Sequence, residues 1–118
     1  MIENLVEESP DILMQLCDTV NSDFFALCLD IGHMNVFSEL SPSEWVKSMN
    51  TRLQYVHLHD NNGENDDHLT VGKGNIDFDD FFDSIENRKD IIIALELDHS
   101  TPEEKVKNLI EVMNKYSN

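Results

Sequence analysis

The stretch YVHLHDNNGENDDHLTVGKGNID, Tyr55–Asp77, decides how the rest of the chain is read: an apolar run delivers two histidines and then breaks into a long acidic loop punctuated by glycine. His57 and His59 are two apart, so on a β-strand they point to the same side. Asp60, Asp66, Asp67 and His68 follow on the loop. Hard oxygen and borderline nitrogen donors within reach of one point are the composition of a divalent-metal site. A half-buried strand before a solvated acidic loop would explain any one of these histidines. It explains the cluster less well, because buried histidines side by side need polar partners.

Outward from this stretch, apolar runs and helical patterns alternate. The start, MIEN, has the look of a strand end. Ser9 is placed to cap a helix with Pro10 in its first position, and Ile12, Leu13, Leu16 and Val20 recur at helical spacing to about Asn21. Phe24–Asp30, FFALCLD, is a continuous apolar run ending in a charge, as expected of a strand buried on both faces. IGHMNVFSEL follows and is expected to be a loop. Ser41-Pro42-Ser43-Glu44 is a capping box opening a helix to about Met49, and Leu53–His59 is the next strand. Asp77 can cap a helix over FDDFFDSIEN; Ile91–Leu97, IIIALEL, is the most strand-like run; Thr101-Pro102-Glu103-Glu104 repeats the capping device ahead of a last helix to about Tyr116.

The expected architecture is one α/β domain over residues 1–118: four βα units with a parallel sheet, half of a (β/α)8 barrel. A small open sheet gives the same string of elements. With 118 residues the chain has roughly half the ~250 of a full barrel of this type. Open edges are then expected at the first and last strands. An unclosed inner face, lined by Leu27, Leu29, Val56 and Ile92 or by their alternating neighbours, would favour a homodimer that completes the barrel.

The composition excludes some partners. Twenty-four acidic against eight basic residues give a formal charge of -16, which disfavours nucleic acid and suits cations. No apolar run approaches the ~20 residues of a membrane span, and MIENLVEESP lacks a basic region and an apolar signal core, so a cytoplasmic location is expected with no membrane partner. Cys17 and Cys28 fall in apolar patterns without C-x-x-C spacing and read as buried free thiols.

Parallel βα proteins place their chemistry at the carboxyl ends of the strands. One polar residue stands there in each unit: Glu3, Asp30, His57 (with His59) and Glu96. Adjacent strands lie ~4.8 Å apart, so the four side chains can converge on one ion. Three carboxylates and an imidazole suit Mn2+, Mg2+, Co2+ or Zn2+. Taken singly, Glu3 is a chain end, Asp30 a turn former before Gly32 and Glu96 a surface strand end; a carboxylate inside IIIALEL is the hardest to place without a cation.

The chain resembles the carboxyl-terminal half of the xylose isomerase-like TIM barrels, a superfamily of sugar isomerases and epimerases that also contains endonuclease IV. The resemblance is carried by IEN at Ile2–Asn4, CLDIGH at Cys28–His33, HLHDNNG at His57–Gly63, DDHLTVGKGNIDF at Asp66–Phe78 and ALEL at Ala94–Leu97. It implies a divalent metal held by Glu3, Asp30, His57 and Glu96, with Glu3 and Glu96 also exchanging the substrate proton. It implies substrate contacts, or a second metal in the nuclease branch, at His33, Asp66 and His68. The family's H-L-x-D pattern assigns the ligand to His57 and leaves His59 as a substrate contact or as support behind the ligands. The implied activity is a metal-dependent sugar or sugar-phosphate isomerase or epimerase, moving a proton through an enediolate or a hydride across the metal. An endonuclease IV-like zinc phosphodiesterase and a non-catalytic metal-binding remnant are the alternatives. The first four βα units of the family fold are absent.

Overall fold

The computed structural model describes residues 1–98 and 100–117. Strands β1 (Ile2–Glu3), β2 (Leu27–Asp30), β3 (Leu53–Leu58) and β4 (Ile92–Leu95) form one parallel sheet in the order β1-β2-β3-β4. Helices α1 (Asp11–Val20), α2 (Ile31–Phe37), α3 (Pro42–Met49), α4 (Phe78–Ser84) and α5 (Pro102–Tyr116) separate and follow the strands. The α/β half-barrel is as expected, with β1 and β4 as its edges.

Local sequence explains most boundaries. Ser41 and Thr101 each accept the N–H of a glutamate three residues on, and that glutamate returns a bond to the cap residue, so both capping boxes form. Asp77 accepts the N–H of Asp80 at the start of α4. The first helix begins one residue later than expected: Pro10 is its cap, without a side-chain bond, and Ser9 Oγ lies 3.4 Å from the N–H of Asp11.

The larger departure is α2, which occupies much of the expected loop IGHMNVFSEL. Asp30 is both the last residue of β2 and the N-cap of α2, its carboxylate accepting the N–H of His33 at 2.8 Å. Strand passes into helix with no linker, so no turn composition marks the change.

The core lies between the sheet and its helices, with Trp45, Phe81, Leu27, Leu29, Leu53 and Val56 all fully buried. Leu27, Leu29 and Val56 therefore point to the helix side and not to the open inner face. Register settles the assignment: Asp30 lies beside His57, and Cys28 beside Tyr55, which lies beside Ile92. With side chains alternating, Cys28, Tyr55, Ile92 and Ala94 share the face of Asp30 and His57. Ile92 is 57% exposed there. Both cysteines are free and fully buried. Among the described residues no helix is long and apolar enough to cross a membrane.

Candidate metal centre at the strand ends

The ends of four adjacent strands bring Glu3, Asp30, His57 and Glu96 together. His57 Nδ1 lies 3.5 Å from Glu3 Oε1, 3.8 Å from Asp30 Oδ2 and 3.4 Å from Glu96 Oε1. This nitrogen is buried and has no hydrogen-bond partner. Atoms bound to one ion at ~2.1 Å stand about 3.0–3.4 Å apart, close to these separations. A buried imidazole nitrogen facing three carboxylates without bonding to any of them is the donor set a divalent cation fits.

Each carboxylate is held differently. Asp30 is buried, and its carboxyl lies below the usual range. Burial opposes this, but is outweighed by the hydrogen bond from His59 and by the N–H of His33. Burial pushes the Glu3 carboxyl up, with Asp30 adding to the shift and His57 opposing it. Glu96 follows β4 directly, and its N–H donates to Leu58 O at 3.0 Å. Cys28 sits beneath the cluster on the same face. Its thiol is pushed up to about 12, by burial first and then by the charges of Glu3 and Asp30.

Beside this cluster, Asp66 gathers His33, His59 and His68. Its Oδ2 lies 3.1 Å from His33 Nε2 and 3.1 Å from His68 Nε2, and its Oδ1 lies 3.7 Å from His59 Nδ1. His33 Nδ1 contacts Asn4 O at 2.9 Å, and His68 Nδ1 contacts Glu96 O at 3.1 Å. His59 is fully buried, with Nε2 at 2.9 and 3.1 Å from the Asp30 oxygens and Nδ1 without a hydrogen-bond partner. Its ring stacks on His68 with centroids 3.9 Å apart and planes 2° from parallel. Parallel stacked rings direct their in-plane lone pairs side by side, so His59 and His68 cannot converge on one ion, although with Glu96 they come within 4.8 Å of one another.

Asp60, one of the candidate donors on the loop, is turned away from the site. Its buried carboxylate accepts the N–H groups of Asn61, Gly72, Gly74 and Ile76 at 2.8–3.3 Å. Gly72 has a φ of +92°, and a Cβ on Gly74 would overlap Asn61 O, so both glycines are required by this closure. Asp60 and Leu69 form an antiparallel bridge that closes the loop carrying Asp66 and His68. Asn61 adds a bond to Gly32 O at 2.9 Å. Sequence reasoning gives neither Asp60 nor Asn61 this role; the G-x-G at Gly72–Gly74 is the available signal.

The xylose isomerase-like TIM barrel family model matches residues 1–116. The chain belongs to that family. Two relatives are proteins of Methanocaldococcus jannaschii: MJ1311, 31% identical over 114 residues, and MJ1614, 42% identical over 55 residues. The first match covers 90% of this chain and 38% of that protein; the second covers 47% and 21%. Among solved structures, a D-tagatose 3-epimerase-like protein superposes with a TM-score of 0.79 at 26% identity, covering 97% of this chain and 45% of its own. A D-allulose 3-epimerase from Methylomonas sp. gives 0.76 at 21% identity, covering 96% and 47%. A Thermus thermophilus protein soaked with ZnCl2 gives 0.74 at 21%, covering 98% and 45%. This xylose isomerase-like chain thus spans less than half the length of the relatives and structures it matches.

Proposed function

We propose that this chain supplies the metal-binding half of a sugar or sugar-phosphate isomerase or epimerase, with Glu3, Asp30, His57 and Glu96 as ligands to one divalent cation. The observation that supports this most is the unpartnered, buried His57 Nδ1 within 3.8 Å of three carboxylates from the other three strand ends. Bound there, Mn2+, Mg2+, Co2+ or Zn2+ would polarise adjacent oxygens of a sugar and acidify the C–H between them.

The chain's own groups do the rest. Glu3 and Glu96 come from opposite edges of the sheet and have side chains 28% and 41% exposed, so both reach a ligand at the mouth. They are the pair that would take the proton from one face of the carbon and return one to the other. Asp30, buried and bonded to His59 and to the His33 N–H, has no freedom to act as a base and serves to hold position. His33 and His68, on the rim with Asp66, face the sugar hydroxyls. Closing the mouth takes four more strands, and a second copy of this chain is their proposed source.

The test is turnover of a panel of ketoses, aldoses and their phosphates with Mn2+ added, with Glu3→Gln and Glu96→Gln as controls. Metal-dependent interconversion lost in both variants is expected. A metal-loaded protein inert on the whole panel would sink the reading.

A second reading has its own observation: Asp66 lies 3.1 Å from both His33 Nε2 and His68 Nε2, a donor set that suits a further zinc in a phosphodiesterase. The charge of -16 works against a nucleic-acid substrate. Zinc stoichiometry together with cleavage of an abasic duplex distinguishes the two.

A further inference from the structure

The exposed apolar side chains are not scattered. Fourteen large hydrophobic residues are exposed among the described residues, and thirteen of them lie in residues 1–24 or 92–113, the first and last βα units. Between them only Phe37 is exposed. On α1, Leu13 and Cys17 are buried, while Ile12, Leu16 and Val20 on the adjoining arc are 58%, 37% and 44% exposed. On α5, Val112 is buried, while Val106, Leu109, Ile110 and Met113 are 42–56% exposed. Each helix has an apolar arc wider than its own sheet covers, and each belongs to an edge strand.

We infer that these two surfaces are the two halves of one seam, filled by a second copy of this chain: α1 and β1 of one protomer pack against α5 and β4 of its partner, and the two-fold repeats the contact on the other side. This rests on the functional reading above for its purpose, since the seam closes the barrel around the strand-end cluster.

Three features favour a second copy as the occupant. Both edge strands belong to the same parallel sheet, so β4 of one protomer can extend to β1 of the next in the same sense, and a two-fold axis closes the ring at eight strands. Charge favours α1 against α5 over α1 against α1: no Lys or Arg precedes Lys47, so the α1 side is acidic throughout, with Glu7, Glu8, Asp11 and Asp18, whereas on α5 Lys105, Lys107 and Lys115 balance Glu103, Glu104 and Glu111. Thirteen half-exposed apolar side chains amount to on the order of 1,000 Å2 per chain, in the range of a stable protein interface.

The heterologous contact gives a specific test. Leu16→Asp and Ile110→Asp each place a charge in both seams of a dimer of like chains. Mixing the two variants leaves one seam clean and puts both charges in the other. Light scattering at high micromolar concentration and moderate salt should give twice the chain mass for the native protein, the single mass for each variant, and partial recovery of the dimer in the mixture. A native monomer that melts cooperatively would overturn the inference, as would a dimer that both variants leave intact. A native protein that pairs only with an added amino-terminal half-barrel of a relative would overturn it in favour of that occupant. Mn2+ binding, measured on the same samples by calorimetry, reports on the functional reading separately: a monomer that binds Mn2+ defeats only the seam, and a dimer that binds none defeats only the metal centre.

Discussion

His59 Nε2 lies within 3.1 Å of both carboxylate oxygens of Asp30, and its ring occupies the space left by the missing side chain of Gly32. A Cβ on Gly32 would overlap His59 Cε1. The carboxylate on β2 is thus aimed by a histidine two residues beyond His57, and that histidine fits only because the residue after Ile31 has no side chain.

Gly32→Ala should therefore push His59 out and release Asp30. Overpacking of this kind costs about 1–3 kcal/mol, and Mn2+ affinity should fall with it. Denaturant unfolding and calorimetry measure both effects; an alanine variant with native Mn2+ affinity would show that His59 does not aim Asp30.

The four strand ends and both capping boxes are legible in the sequence because each depends on residues within a few positions of one another. The second helix is not, because Asp30 ends a strand and caps a helix at once, and Gly32 and Asn35 are poor helix formers. Apolar character alone leaves the inner face open between Leu27, Leu29, Val56 and Ile92 and their alternating neighbours, and the structure puts the neighbours Cys28 and Tyr55 there together with Ile92. The right assignment is available from alternation: if Asp30 and His57 face the mouth, Cys28 and Tyr55 go with them. The role of the Asp60 carboxylate is opaque because its donors include residues up to sixteen positions away, which meet it only when the loop is closed.

Asp60→Asn keeps the shape of the side chain but sets an amide N–H2 against backbone N–H groups. Leaving a buried donor unsatisfied costs about 1–3 kcal/mol. Hydrogen exchange at Gly72, Gly74 and Ile76 should accelerate while β3 stays protected. Unchanged exchange at these three amides would mean the loop closes without Asp60.

Cys28, with a thiol pushed up to about 12, should be inert although it lies against the site. Thiolate is the reactive form, and at pH 8 it would be about one part in ten thousand. An aromatic disulfide reagent should label no thiol in the native protein and two after denaturation, Cys17 being buried as well.

Metal should raise the melting temperature. Glu3, Asp30 and Glu96 crowd one imidazole, and a cation that binds the folded chain alone adds stability, about 2.7 kcal/mol at a hundred times Kd. EDTA should reverse the gain, and Asp30→Asn or Glu96→Gln should abolish it. Melting curves that coincide with and without excess Mn2+ would remove the ligand assignment.

The metal-free protein should lose stability as pH rises past neutrality. Burial opposes the protonated form of His33, yet the Asn4 carbonyl and the charges of Asp30 and Asp66 raise it above the ordinary value of 6.5. For His68 burial again opposes, and the Glu96 carbonyl and Asp66 prevail in the same direction. In both cases the folded state holds its proton to higher pH than the unfolded chain. The stabilisation is therefore complete below pH 6.5, the unfolded value, and is lost as pH climbs through the raised folded values. Asp66 contributes to both shifts, so Asp66→Asn should be less stable than the native protein at pH 6 and approach it at pH 9. Chemical denaturation in EDTA across this range tests the sign directly, and a native protein that grows more stable from pH 6 to pH 9 without metal would contradict it.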